Sequence, residues 1–187
     1  IQLAKNRFQP ENTPKIAMHH YAELRKYLNI PNDKSVEIPD SIQLKLIHGY
    51  YACISFVDDQ IGRLVSKLKE LDLYNDAIIV FVGDHGWQLG EHNLWAKHCN
   101  FQTSLKVPLL IKYPNQTEAK KIKSVVELVD IFPTLCDISN LDYPKHLQGK
   151  SLTSVNKKDN SNTIGFSTYK KGTTCLLYTS PSPRDTL

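Results

Sequence analysis

The chain lacks most of the signals that settle a function quickly. No apolar run approaches the roughly 20 residues needed to cross a bilayer, so no membrane span is expected. The four cysteines, Cys53, Cys99, Cys136 and Cys175, show no C-x-x-C spacing; a thiolate zinc site is not expected, and disulfides are permitted without being demanded. Lysine and arginine outnumber the acidic residues 23 to 19, yet the longest basic stretch is only Lys120-Lys121-Ile122-Lys123. Scattered cations of this kind read as a solvated face, and no nucleic-acid partner is expected. The chain opens at Ile1 and has no signal-peptide pattern. A portion of a longer protein is therefore expected, and the missing targeting segment says nothing about location.

What is present is organised. Residues 1–40 are polar and turn-rich, with prolines at 10, 14, 31 and 39 and a short helix expected over 16–28. Over 41–71, Ile47, Tyr50, Tyr51, Ile54, Val57, Ile61, Leu64, Val65, Leu68 and Leu71 recur at three- and four-residue spacing. That pattern predicts a helix of about eight turns, capped by Asp40 or Ser41 after Pro39. Asp58 falls inside the apolar stripe, where a buried carboxylate would need donors from a neighbouring loop. A fully buried strand is expected over 77–82, an active loop over 83–106, a strand over 107–113 and a helix over 129–138. That helix has Asp130 near its start and Pro133 in its first turn. Residues 139–160 read as loop, with Gly149 in a turn, and 164–169 as a further strand. Apolar strands alternating with helices predict an α/β fold with a parallel sheet covered on both faces. From 173 to 187 neither period is present, and a non-native or disordered tail outside the fold is expected.

The chemistry gathers in Gly83-Asp84-His85-Gly86-Trp87-Gln88-Leu89-Gly90-Glu91-His92, directly after the first strand. Ligands of open α/β sheets bind where strands end. Adjacent strand residues point to opposite faces, so Asp84 and His85 reach one site only if the strand has stopped; Gly83 and Gly86 allow the backbone to turn there. A carboxylate suits calcium or magnesium, and calcium takes about six to eight oxygen ligands, so two side chains leave the shell to be completed from elsewhere. Two other readings stand beside this one. Asp84 could cap an ordinary turn with His85 packed on Trp87, or His85, His92 and His98 could bind zinc without the usual helical spacing. Lys97, in Leu94-Trp95-Ala96-Lys97-His98, could hold a sulfate or phosphate oxygen as a point charge between aromatic walls. Both tryptophans of the chain, Trp87 and Trp95, lie in this loop. One glycosylation triplet, Asn115-Gln116-Thr117, follows the second strand and leans toward a secreted or lysosomal route.

Taken in order, Gly83-Asp84-His85-Gly86, Leu89-Gly90-Glu91-His92, Trp95-Ala96-Lys97 and Val107-Pro108-Leu109 resemble the sulfatase family. So do the segments at 50–64, 127–135 and 147–152. The likeness runs in consistent order over roughly residues 10–170, so 1–172 would be the C-terminal portion of a sulfatase catalytic domain. It implies an alkaline phosphatase-like α/β/α sandwich with a mostly parallel central sheet, hydrolysing sulfate esters of glycosaminoglycan-type sugars around one calcium ion. Asp84 and His85 match the family's metal ligands, and Lys97 matches the lysine that contacts the sulfate in catalysis. Trp87 and His98, with Lys97, match the substrate pocket, although an aromatic residue is more usual at 98. The family's nucleophile is a formylglycine made from the cysteine of a Cys-x-Pro-Ser-Arg stretch, and no such stretch occurs in these residues. Hydrolysis is thus implied for a longer protein, which is expected to be lysosomal or secreted, and this chain alone should not catalyse. A phosphodiester or phosphonate hydrolase of the same superfamily, using two zinc ions, is the neighbouring reading. A non-catalytic protein that binds sulfated glycans is the alternative from another class.

Overall fold

A computed structural model of the chain describes residues 1–18, 23–33, 36–122, 124–154, 165–171 and 174–180. Single 3-10 turns occupy Lys15–Ala17 and Leu24–Lys26, where a helix over 16–28 was expected; 19–22 lie outside the described residues. Helix α1 runs Asp40–Glu70. Pro39 is its N-cap, and its carbonyl accepts from Ile42 and Gln43 at 2.8 and 3.0 Å. Asp40 is therefore the first helical residue instead of the cap. Its carboxylate favours the positive end of the helix dipole and pairs with Arg7 at 3.0 Å.

The core forms where α1 meets the N-terminal segment and the active loop. Leu24, Ile30, Ile38, Ile47 and Trp95 are buried together, with Leu3, Ile42, Leu46 and Leu89 packed against them. Arg25 sits beside this cluster at 4 % exposure, and its guanidinium donates to the Pro31 and Val36 carbonyls at 2.7 and 2.8 Å. Those bonds fold the proline-rich stretch back over its own apolar side chains. Farther along α1 the stripe departs from expectation. Tyr51, Ile54, Val57 and Leu64 are all at least half exposed, and Asp58 is exposed too and is no buried carboxylate. Periodicity correctly marked one face of a helix, but burial needs a partner, and the described residues supply one only near Ile47.

Strands β1 (Ile79–Val82), β2 (Gln88–Leu89), β3 (Trp95–Ala96) and β4 (Leu109–Lys112) follow, with the short helix α2 (Gln102–Leu105) between β3 and β4. β1 and β4 pair antiparallel, Ile79 opposite Lys112 and Val82 opposite Leu109, where parallel pairing was expected. Parallel neighbours need a crossover of a dozen or more residues, usually a helix. Residues 83–108 instead fold back on themselves through the β2–β3 hairpin and α2, so the chain simply reverses. Nor is the pair fully buried: Phe81, Val82 and Leu110 are exposed. The Lys112 ammonium closes the α1–β1 turn, donating to the carbonyls of Tyr74, Asn75 and Ala77.

Helix α3 spans Ile131–Ile138, entered through a 3-10 turn at Leu128–Asp130 with a Glu127–Asp130 capping box. Asp130 accepts from the Glu127 and Lys150 backbone at 2.9 and 2.8 Å, which straps the 147–152 segment onto the helix start. Strands β5 (Gly165–Lys171) and β6 (Thr174–Ser180) pair as an antiparallel hairpin. β5 agrees with the expected strand, whereas β6 lies in the stretch read as outside the fold. No helix among the described residues is long and apolar enough to cross a membrane.

Candidate functional site

β1 ends at Val82, and the Gly83 N–H still bonds to the Pro108 carbonyl at 3.1 Å, so the turn comes immediately afterwards. At that turn Asp84 Oδ1 accepts from the His85 backbone N–H at 3.0 Å. His85 Nδ1 lies 2.8 Å from the Gly86 carbonyl, a bond in which only the ring nitrogen can donate. The Nε2 of a neutral His85 then carries the lone pair, and it faces Asp84 Oδ2 at 3.4 Å. Two acceptors at that separation offer a cation a shared site. The donor set therefore fits a metal site entered from solvent, since the Asp84 side chain is 88 % exposed. Among the described residues no group of three His, Cys, Asp or Glu side chains comes together, so the pair offers two ligands and no closed shell.

Trp87 is the hub of the remaining site. It stacks on Tyr50 of α1 at 6.3 Å and 24°, lies 6.1 Å from the His85 ring, and has the Lys97 ammonium 5.9 Å from its ring centre. A cation over an indole face is held by the ring quadrupole while keeping its N–H groups available. Asp84, His85, Trp87 and Lys97 thus form one continuous patch at the strand end. His98 turns to another neighbour, with Nε2 3.6 Å from Glu23 Oε2. The zinc trio is not assembled: His92 packs on Phe101 at 4.5 Å, away from His85, and His98 faces Glu23.

The expectation of two aromatic walls is corrected here. Trp87 faces Lys97, but Trp95 is 2 % exposed within the core cluster and anchors the loop from below. Sequence reasoning also missed Tyr50 and Glu23. Tyr50 was visible as a stripe residue of α1, but its contact with a loop 37 positions away carried no local signal. The role of Gly86 differs as well. Gly90 (φ 109°) is the glycine with positive φ among the described residues, so Gly86 is required for space, not for a turn. A Cβ on Gly86 would lie 1.9 Å from the Thr103 carbonyl oxygen.

Comparisons with known proteins bear on what this patch is. The family model described as Sulfatase matches residues 4–141. Human iduronate 2-sulfatase is 33 % identical over 174 residues, covering 77 % of this chain and 32 % of its own length, so the chain spans about a third of that relative. A phosphonate monoester hydrolase of Agrobacterium radiobacter superposes with a TM-score of 0.59 at 31 % identity, over 64 % of this chain and 25 % of that one. A putative sulfatase from Bacteroides thetaiotaomicron superposes with a TM-score of 0.71 over 90 % of this chain and 37 % of that one; at 18 % identity it speaks for the fold, an alkaline phosphatase-like α/β architecture. The family match spans the strand end, the Asp84–His85 pair and the Lys97 loop in one stretch, and on that ground the chain belongs to the sulfatase family.

Proposed function

We propose that the complete protein hydrolyses sulfate esters on glycosaminoglycan-type sugars, in the manner of an iduronate 2-sulfatase. The observation that carries this reading is the patch itself: an acceptor pair suited to a metal, and a lysine 5.9 Å from an indole face in the same loop. The identity to human iduronate 2-sulfatase supports the choice of sugar. Asp84 and His85 Nε2 would hold calcium, with further ligands from outside these residues. When bound, the ion would neutralise sulfate charge and acidify the attacking group. Lys97 would bind a sulfate oxygen and stabilise charge that builds on the ester in the transition state. Trp87 and His98 would contact the sugar, Trp87 by stacking and His98 as a donor or acceptor beside Glu23. The nucleophile would come from elsewhere in the complete protein, since these residues contain no Cys-x-Pro-Ser-Arg stretch.

The test is turnover of an iduronate-2-sulfate disaccharide by the complete protein and its Lys97→Met variant. Loss of one preorganised charge should lower kcat by about a hundred- to a thousandfold. Unchanged kcat in the variant would remove Lys97 from the site. The structural likeness to a phosphonate monoester hydrolase favours one second reading, hydrolysis of phosphonate or phosphate esters with zinc. Faster turnover of a phosphonate monoester, with zinc in the purified protein, would establish that reading instead.

The proposed route is lysosomal or secreted. Asn115 is exposed in the turn after β4, with φ 60°, and its triplet is open to a glycosylating enzyme. Expressed in a secretory cell, the protein should carry a glycan there, read by mass spectrometry as deamidation of Asn115 after enzymatic release. An unmodified Asn115 on secreted protein would remove this support.

A further inference from the structure

Gln88 is a core residue with an unusual set of attachments. It is 0 % exposed, and its backbone pairs with Ala96 across β2 and β3. Its amide nitrogen reaches beyond that pairing to Cys99 Sγ at 3.4 Å and Ser104 Oγ at 3.1 Å. Ala96 and Cys99 are the residues on either side of Lys97 and His98. Gln88 therefore grips both ends of the short loop that presents the lysine. Inside the loop the Cys99 N–H donates to the Lys97 carbonyl at 2.8 Å. Ala96 holds φ 72°, a left-handed conformation that a non-glycine residue keeps only where its surroundings enforce it.

Stability does not account for a glutamine at this position. Its Oε1 is buried with no hydrogen-bond partner among the described residues, a state that opposes folding. With methionine in its place, Cys99 Sγ and Ser104 Oγ would still have each other at 3.1 Å, so no new polar group would be orphaned. An apolar side chain of similar length suits the fold at least as well. What methionine would remove is the tie between β2 and the far end of the lysine loop.

We propose that Gln88 is a positioning residue that holds Lys97 over the Trp87 ring, a role that rests on the sulfatase reading for its consequence in turnover. The experiment uses the complete protein labelled with 5-fluorotryptophan, as wild type, Gln88→Met, Lys97→Met and the double variant. The Trp87 resonance is assigned by its loss in Trp87→Phe. In Gln88→Met, Tm should stay level or rise, and the Trp87 resonance should move in the direction that Lys97→Met moves it. Its kcat on the sulfate ester should fall about ten- to a hundredfold. Added to Lys97→Met, the substitution should cost nothing further, because its effect passes through that lysine. An unmoved Trp87 resonance would overturn the proposal, as would losses that multiply in the double variant or a fall in Tm that tracks the fall in kcat. Should the wild type hydrolyse no sulfate ester, the sulfatase reading fails, and the Trp87 resonance still decides whether Gln88 places the lysine.

Discussion

Gly86→Ala is expected to cost the fold about 3 kcal/mol and to disorganise the candidate site with it. The added Cβ would stand 1.9 Å from the Thr103 carbonyl oxygen, 2.9 Å from its carbon and 3.1 Å from Ser104 Cα. All three are backbone atoms of the α2 region, so no flexible side chain can swing aside. Overpacking of a tight site costs typically about 1–3 kcal/mol. Separating the strands of contact also strains the Gly86 N–H bond to the Ser104 carbonyl, 2.7 Å long, worth about 1 kcal/mol more. Against a total stability of roughly 5–15 kcal/mol, that is a large share. A denaturant titration of wild type and variant measures it; equal midpoints with equal slopes would show that the two segments separate at no cost.

Asp84→Ala in the complete protein should act in the opposite way, sparing the fold and weakening the proposed calcium site. The carboxylate is 88 % exposed, and its contacts are local: one hydrogen bond from the His85 backbone N–H and a 3.4 Å approach to the His85 ring. Little folding energy therefore depends on it. Losing even an outer-shell partner of a metal ligand costs about 10- to 100-fold in affinity, so loss of a direct ligand should weaken calcium binding on the order of a hundredfold or more. Turnover should fall with it. Calorimetric calcium titration and an assay at several calcium concentrations measure both. Unchanged affinity would take Asp84 out of the ligand set, and full turnover in the variant would sink the metal assignment altogether.

Both expectations depend on features that differ in how far they could be read locally. Helix α1 was expected over 41–71 and is found at Asp40–Glu70, because the proline before it and the apolar period within it act over one or two turns. Helix α3 was legible for the same reason, through Asp130 at its entry and Pro133 in its first turn. The Asp84–His85 pair and Lys97 could be picked out because the residue types sit just past an apolar strand, where an α/β sheet opens. Asp58 misled, since a position in the stripe shows which face it shares without showing whether anything covers that face. Trp95 misled in the other direction: a tryptophan near a candidate site reads as a pocket wall, and packing against Leu24, Ile38 and Ile47 made it core.

The amino-acid sequence by itself determined helices α1 and α3, the strand that carries the candidate site, the identity of its charged groups and the family to which they belong. These rest on local periodicity, capping and an ordered run of motifs. Only the tertiary structure decided that β1 and β4 run antiparallel and that Trp87 meets Tyr50. The close approach of Gly86 to Thr103, and the grip of Gln88 on both ends of the lysine loop, were decided there as well. Each of these joins residues at least eight positions apart in sequence, where neither period nor propensity acts. Such contacts are set by which surfaces the folded backbone brings within a few ångströms of one another.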